Sequence, residues 1–243
     1  NEEGQREILG FRVALSETGE AWAKLFDQLK ERGLSGVELV TSDAHQGLRE
    51  AVESRFPGCI WQRCQAHYRR QILDETPAKV KEAMVDLLDE VLQASSPVQA
   101  RRIFEEVLDG ERQRLVEVEK NGETKKVDTY EALRKEAAPV LARLEEDLEE
   151  VTAVLALPGK YRRRLRTTNM LERLIEELRR REKVIRIFPN IDSAWRLIGA
   201  LLAEYHEEWS TGRRYLTMDA FEEWKSELSS PQPTDQPEPI EAI

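Results

Sequence analysis

Length, composition and charge already exclude several classes of protein. The chain has 243 residues, of which 40% are hydrophobic and 35% are charged, and its formal net charge is −10. This length fits one large domain or two small ones, and the composition is typical of a soluble, helix-rich protein. No apolar run could span a membrane and no signal peptide opens the chain, so we expect no membrane partner. The two cysteines, Cys59 and Cys64, have no disulfide framework around them, which indicates a reducing compartment.

The charge is distributed unevenly along the chain. The segment from Lys160 to Arg186 carries eleven basic and four acidic side chains, a local charge of +7 on an otherwise acidic chain. An acidic total argues against a general nucleic-acid binder, but a concentrated basic segment can bind a polyanion. A solvated helix face with internal salt bridges explains the same charges equally well. Composition alone leaves both interpretations open.

The first 76 residues alternate between strand and helix patterns. The predicted elements are a strand at 6–15, a helix at 17–33, a strand at 36–43, a helix at 47–56 and a strand or strand-like segment at 59–67. This order predicts an α/β layer with a partly parallel sheet.

The pattern becomes helical from residue 77 onwards. Residues 77–156 contain no convincing strand. Helices are predicted at about 77–94, 97–120, 130–156, 169–182 and 191–209, and in a last short segment to about 228. The tail is Pro-rich and acidic, which predicts disorder. The chain therefore divides into an α/β part, a helical block, a basic helix, C-terminal helices and a tail, at 1–76, 77–158, 159–190, 191–228 and 229–243.

Asp43 lies where a predicted buried strand gives way to polar residues. In open α/β sheets ligands collect outside the carboxyl ends of strands, and a carboxylate there can bind a hard cation such as Mg²⁺. The sequence Ser-Asp-Ala-His before a helix is also typical of an N-cap. On this pattern alone the cap is the better-supported interpretation.

Glu172 also fits a local structural role. Asn169 and Glu172 have the spacing of a capping box at the start of the basic helix. Leu171, Leu174 and Leu178 form the apolar stripe of this helix, so Glu172 lies at the edge of a packed face. A capping glutamate does not require the surrounding arginines, whereas a carboxylate that binds metal beside a phosphate does.

Cys64 and His67 have the Cys-x-x-His spacing of half a zinc site. The chain offers no second pair, because His45 and His206 are isolated and Cys59 lies on the same segment. A structural zinc site needs four ligands, so we expect no zinc here. We expect Cys64 to pack as a small buried hydrophobe.

Four motifs in order resemble a known family. They are LVTSDAHQGL, FPGCIWQRCQAH, LRTTNMLERL and the run from RRREKVIRIFPN to the EW that follows it. Together they resemble the catalytic half of bacterial Mutator-type transposases, over the chain up to about residue 216. The resemblance implies a DDE-type enzyme with an RNase-H-like core that is interrupted by an all-helical insertion before its last acidic residue.

The resemblance also implies roles for particular residues. Asp43 and Glu172 would bind Mg²⁺ or Mn²⁺, two ions in the intact enzyme, and His67 would assist them. Cys64 and Asn169 belong to the supporting motifs. The residues expected to contact DNA are Arg162, Arg163, Arg164, Arg166, Arg173, Arg179, Arg180 and Arg181. The implied partner is double-stranded DNA, namely the terminal inverted repeats of the element and its target. The protein would form a homo-oligomer on DNA in a bacterial cytoplasm, associated with the nucleoid.

One departure from the family pattern affects the expected activity. The family's first catalytic aspartate lies on the first strand of the core, upstream of the motifs found here, so we expect a truncated core that is inactive alone. If the resemblance holds, the carboxylates of Asp43 and Glu172 should lie within roughly 4–8 Å of each other. One alternative is a catalytically inactive or domesticated module that binds DNA or a protein. Another is a plain helical structural protein, which predicts that the two carboxylates are far apart.

Overall fold

The chain folds as a mixed α/β protein that is mostly helical. The computed structural model describes residues 1–13, 16, 18–120, 123–185 and 188–229. No helix in these ranges is long and apolar enough to cross a membrane. The described strands are β1 (Leu39–Ser42), β2 (Ile60–Arg63), β3 (Leu115–Lys120) and β4 (Glu123–Asp128). The helices are α1 (Gly19–Glu31), α2 (Gln46–Arg55), α3 (Gln65–Glu75), α4 (Lys81–Leu92), α5 (Pro97–Leu108), α6 (Thr129–Glu136), α7 (Ala138–Thr152), α8 (Gly159–Leu165), α9 (Asn169–Ile185), α10 (Ile191–Thr211) and α11 (Asp219–Ser229).

A small parallel sheet forms the first part of the fold. β1 and β2 pair in parallel from Leu39 opposite Ile60 to Ser42 opposite Arg63. The connection between them is the helix α2, as parallel pairing requires. This strand–helix–strand order was predicted from the sequence and is confirmed, as is the helix α1 that precedes it.

The strand predicted at 6–15 is wrong for the part that the structure describes. Residues 5–13 form neither helix nor strand, and residues 14 and 15 lie outside the described ranges. A strand requires a paired neighbour. Instead this segment contacts α10, since the N–H of Ile8 donates to Nδ1 of His206 at 3.2 Å and the ring of Phe11 stacks on Trp195.

The prediction of an all-helical insertion is also wrong. The helix predicted at 97–120 ends at Leu108, and Gly110 with its φ of +79° follows it. β3 and β4 then form an antiparallel hairpin, with Leu115 opposite Asp128. The sequence Leu-Val-Glu-Val-Glu-Lys alternates apolar and charged residues, which favours a strand, but it is short enough to be read as a continuation of the helix. Residues 121 and 122, at the predicted turn, lie outside the described ranges.

The third predicted strand is shorter than expected. β2 ends at Arg63 and α3 begins at Gln65, so His67 lies on a helix and not on the predicted strand at 59–67. The helix is favoured because it buries Tyr68 and Ile72 in the helical core.

The last elements agree with the predicted helices, with longer ends. α9 extends beyond the predicted 169–182, and α10 beyond 191–209. Residues 186 and 187, with Arg186 of the basic segment, lie outside the described ranges. So do residues 230–243, which hold nearly all of the predicted disordered tail.

The main hydrophobic core lies among α3–α7 and the turn that follows them. Its largest fully buried side chains include Tyr68, Phe104 and Tyr130. Burial of these large apolar groups is the main term that stabilises this part of the fold. The core therefore lies among the helices that follow β2, next to the small sheet.

Two buried glutamines join the sheet to this core. The side chain of Gln62, fully buried on β2, donates to the carbonyl of Val151 at 3.0 Å and accepts from the N–H of Val154 at 2.6 Å. Gln65 donates to the same Val151 carbonyl at 2.7 Å. The end of α7 leaves backbone groups without helical partners, and these side chains satisfy them.

We predict that Gln62→Leu lowers the free energy of unfolding by about 1–3 kcal/mol, because it leaves the buried N–H of Val154 without an acceptor. Urea denaturation measures this change. The matched control is Gln46→Leu on the exposed surface of α2, which should change stability by less than about 0.5 kcal/mol. Equal effects of the two substitutions would contradict the structural role given to Gln62.

Candidate active site

Asp43 follows the last residue of β1 and is largely open to solvent. Its side chain is 61% exposed. It does not act as the N-cap of the helix that follows. That position belongs to His45, whose Nδ1 accepts from the N–H of Leu48 at 3.1 Å. The N-cap interpretation of Asp43 is therefore wrong, and its carboxylate is available for other contacts.

His67 lies between the two candidate carboxylates. Its Nδ1 is 3.0 Å from Oδ1 of Asp43, and its Nε2 is 3.6 Å from Oε1 of Glu172. The Nδ1 atom is buried, and its contact with Asp43 does not have the angle of a hydrogen bond. Two acidic residues that are far apart in the sequence thus contact opposite sides of one imidazole ring.

Glu172 does not form the capping box predicted for it. α9 begins at Asn169, so the cap position falls on Thr168. The N–H of Thr168 lies 3.4 Å from Sγ of Cys64, and Glu172 does not accept it. The Glu172 carboxylate accepts instead from the hydroxyl of Thr168 at 2.8 Å. Glu172 is 40% exposed, and it faces His67.

Thr168 is a site residue that the sequence analysis missed. Its hydroxyl contacts Oε1 of Glu172 and lies 3.2 Å from Sγ of Cys64, so it links the two side chains. The available signal was a hydroxyl residue one helical turn before Glu172. Cys64 itself is fully buried, as predicted.

The turn before α9 is hydrogen-bonded to β1 and to the start of α3. Oγ1 of Thr41 on β1 donates to the carbonyl of Leu165 at 2.6 Å. The N–H of Gln65, the first residue of α3, donates to the carbonyl of Arg166 at 3.0 Å. These two hydrogen bonds bring the start of α9 to the end of the sheet. They explain how Glu172 reaches residues that precede it by more than a third of the chain.

Three of the site residues have potential ligand atoms very close together. One such atom each of Cys64, His67 and Glu172 lie within 4.8 Å of one another. Asp43 is outside this group but contacts His67. The site can therefore offer carboxylate oxygens to a hard cation, and sulfur, nitrogen and oxygen to a softer one.

Several of the predicted DNA-binding arginines have partners within the protein. Arg162 donates to the carbonyls of Leu157 and Ala94 at 2.7 and 3.3 Å, a structural role. The guanidinium of Arg164 stacks on the ring of Tyr215. Arg166 is half-buried.

Two arginines of α9 pair with an acidic residue on the same helix. Arg180 and Arg181 both contact the carboxylate of Glu177, at 2.6 and 3.2 Å. Hydrogen bonds from Arg180 and Arg181 lower the pKa of Glu177 to about 2. This part of the basic segment therefore has the internal salt bridges of a solvated helix face.

Three other arginines of the basic segment are exposed and unpaired. Arg163, Arg173 and Arg179 have no hydrogen bond, ion pair or ring contact among the residues that the structure describes. Asn169, the first residue of α9, is also exposed. The two interpretations of the basic segment therefore apply to different residues, and these three arginines are the ones free to bind a polyanion.

Comparisons with known proteins agree with this set of motifs. The sequence profile of the family described as Transposase, Mutator family matches residues 1–137 and 120–212. The chain is 36% identical, over 222 residues, to the transposase for insertion sequence element IS256 in transposon Tn4001 of Staphylococcus aureus. It is 35% identical over 237 residues to the IS1081 transposase of Mycobacterium tuberculosis. It is 38% identical over 226 residues to the ISRM5 transposase of Rhizobium meliloti.

These alignments cover most of this chain and part of each relative. They include 89%, 98% and 92% of this chain, but 50%, 51% and 50% of the three relatives in the same order. The chain thus spans about half the length of the curated relatives that it matches. The family profile covers nearly all of the chain up to residue 212, and the chain therefore belongs to the Mutator family of transposases.

Proposed function

We propose that this chain carries part of the catalytic core of a DDE-type DNA transposase, which hydrolyses and transfers DNA phosphodiesters to move an insertion sequence. The observation that carries the proposal is the contact of His67 with both Asp43 and Glu172. Carboxylates from distant parts of the chain gather at the carboxyl end of β1, where open α/β sheets bind their ligands. The relatives are all named as transposases of insertion sequences, which supports the same function.

The donor atoms of Asp43 and Glu172 fit a hard divalent cation. Both side chains are partly open to solvent, at 61% and 40% exposure, and both offer the oxygen ligands that Mg²⁺ or Mn²⁺ prefers. Mg²⁺ is commonly bound by one or two carboxylates together with substrate phosphate. When bound, two such ions would activate the attacking oxygen and stabilise the leaving oxygen.

The neighbouring residues position these carboxylates. His67 contacts both of them, so it restricts their orientation and can hold a proton next to Asp43 or Glu172. The hydroxyl of Thr168 donates to Glu172, which fixes one carboxylate oxygen. We assign the unpaired Arg163, Arg173 and Arg179 to phosphate binding on double-stranded DNA.

An RNase-H-like core would account for the free edge of the sheet. β1 is paired with β2 on one side, and residues 5–13 form no strand beside it. An upstream strand that carries the first aspartate would pair with β1 and supply a third carboxylate. On this proposal the full site, and a homo-oligomer assembled on the ends of the element, require a longer protein than residues 1–243.

We predict that residues 1–243 alone bind DNA weakly and do not cleave it, because too few carboxylates hold the metal ions rigidly. Incubation with duplex DNA carrying inverted-repeat ends and Mg²⁺ or Mn²⁺, analysed on a denaturing gel, tests this. Metal-dependent cleavage by this chain alone would show that the proposed third carboxylate is not needed.

We predict that Glu172→Gln abolishes cleavage in a longer protein that includes the upstream strand, while DNA binding is retained. The amide keeps the size of the side chain but lacks the negative charge that binds the cation. The matched control is Glu176→Gln, one turn further along α9, which should cleave normally. Full cleavage by the Glu172→Gln protein would show that Glu172 does not bind a metal ion that cleavage requires.

We predict that replacing Arg163, Arg173 and Arg179 together by alanine weakens DNA binding and lowers its salt dependence. Each lost phosphate contact reduces the slope of log K against log salt concentration by about 0.9, so the triple variant should lose about 2–3. Fluorescence anisotropy at several salt concentrations measures the slope.

The control for this experiment replaces Arg180 and Arg181, which already pair with Glu177. We expect a smaller change in slope, because these two side chains must first give up their partner to bind phosphate. An equal or larger loss in the control would mean that the internal ion pairs do not decide which arginines bind DNA.

A further inference from the structure

The cluster of Cys64, His67 and Glu172 has ligand chemistry that the proposed function does not use. One potential ligand atom of each residue lies within 4.8 Å of the others. We propose that these three side chains bind a thiophilic divalent cation of the Zn²⁺ type. The site differs from the proposed Mg²⁺ site in containing Cys64, and the two share Glu172.

The donor set favours a borderline-soft ion. Zn²⁺ binds cysteine sulfur, histidine nitrogen and carboxylate oxygen, whereas Mg²⁺ takes oxygen ligands in an octahedral arrangement. Three protein ligands leave one tetrahedral position for water, as in open zinc sites. His67 and Glu172 are 35% and 40% exposed, so an ion can enter from solvent and reach the buried sulfur behind them.

The orientation of His67 suits a metal ligand. Nε2 faces Glu172, and the buried Nδ1 is 3.0 Å from Asp43. A histidine that binds a metal through one nitrogen characteristically donates its other N–H to a carboxylate, which fixes the ring. Asp43 is placed to accept that proton after a small change of angle. At this site Asp43 is a positioning residue for His67.

The surroundings of Cys64 also suit a bound sulfur. The backbone N–H of Thr168 points to Sγ at 3.4 Å, and such a donor stabilises the negative charge of a coordinated thiolate. The Thr168 hydroxyl, which has one proton, donates it to Glu172 at 2.8 Å. One residue thus orients two of the three ligands.

The sequence-based expectation of no zinc rested on a count of the possible ligands near Cys64 and His67. That count did not include Glu172, because only the folded chain brings α9 to this segment. In the structure Glu172 is the third possible ligand, so the site does not require a second Cys-x-x-His pair.

Cobalt(II) provides the test, because it occupies zinc sites and its spectrum reports the ligands. Metal-free protein of residues 1–243 is titrated with Co²⁺ under reducing conditions and followed by near-ultraviolet and visible absorption. We expect one equivalent to bind, with a thiolate-to-cobalt charge-transfer band and the visible bands of tetrahedral coordination. Zn²⁺ should displace it. Absence of the charge-transfer band would overturn the proposal.

Matched variants assign the ligands. Cys64→Ala should remove the charge-transfer band, whereas Cys59→Ala should keep it, and a band that survives in Cys64→Ala would overturn the proposal. Asp43→Asn should weaken Co²⁺ binding about 10–100-fold without removing the band, since Asp43 only positions His67.

Circular dichroism of each metal-free variant checks folding. If Cys64→Ala does not fold, His67→Ala at a half-exposed position decides the question, because unchanged Co²⁺ binding there would exclude the site. The readout needs no DNA cleavage, so its outcome is independent of the proposed transposase activity.

Discussion

The site depends on the hydrogen bonds that hold the turn before α9 against the end of the small sheet and the start of α3. Thr41 and Gln65 each donate one hydrogen bond to a carbonyl of this turn, at Leu165 and Arg166. Thr41 and Leu165 are 124 positions apart in the chain. Because α9 starts immediately after the turn, these bonds decide where its first helical turn lies, and Glu172 is in that turn. Together with the contacts of Thr168 to Cys64, they join an acidic strand end and a basic helix in one site.

The same principle joins the sheet to the helical core. Gln62 and Gln65 satisfy backbone groups at the end of α7, and both side chains are buried. Buried polar groups fix a geometry more strictly than apolar contacts, because a shifted partner leaves an unsatisfied group at a cost of about 1–3 kcal/mol. The carboxylates thus lie where the small sheet meets the helical core, and hydrogen bonds hold the sheet and the core together.

Sequence patterns predicted what is local and failed where the fold depends on distant contacts. The periodicity of the first 76 residues gave β1, α2 and the strand end at Asp43 correctly. It failed for residues 5–13, since an extended segment becomes a strand only when a neighbour pairs with it. It failed for the β3–β4 hairpin, since six residues of mixed pattern fit helix and strand alike.

The site illustrates the same limit. Local patterns favoured an N-cap role for Asp43 and a capping box of Asn169 with Glu172, and neither forms. His45 is the N-cap of α2, and Asn169 is already the first residue of α9. Strand position, neighbouring charge and spacing drew attention to Asp43, Glu172 and His67, but only the resemblance to the Mutator family implied one common site for them. Thr168 was missed because its importance lies in two contacts, to Cys64 and Glu172, that exist only in the folded chain.

If the proposed function holds, the arrangement of charge on α9 explains how an acidic protein approaches DNA at an acidic site. Two carboxylates beside a phosphate would repel it, and unpaired cations nearby offset that repulsion. Arg173 directly follows Glu172, is exposed, and forms no ion pair with it among the residues that the structure describes. Arg180 and Arg181 are held by Glu177 instead. On the proposed function, the helix keeps the carboxylate that would bind metal separate from its unpaired cations, so that each would act on a different part of the same phosphate backbone.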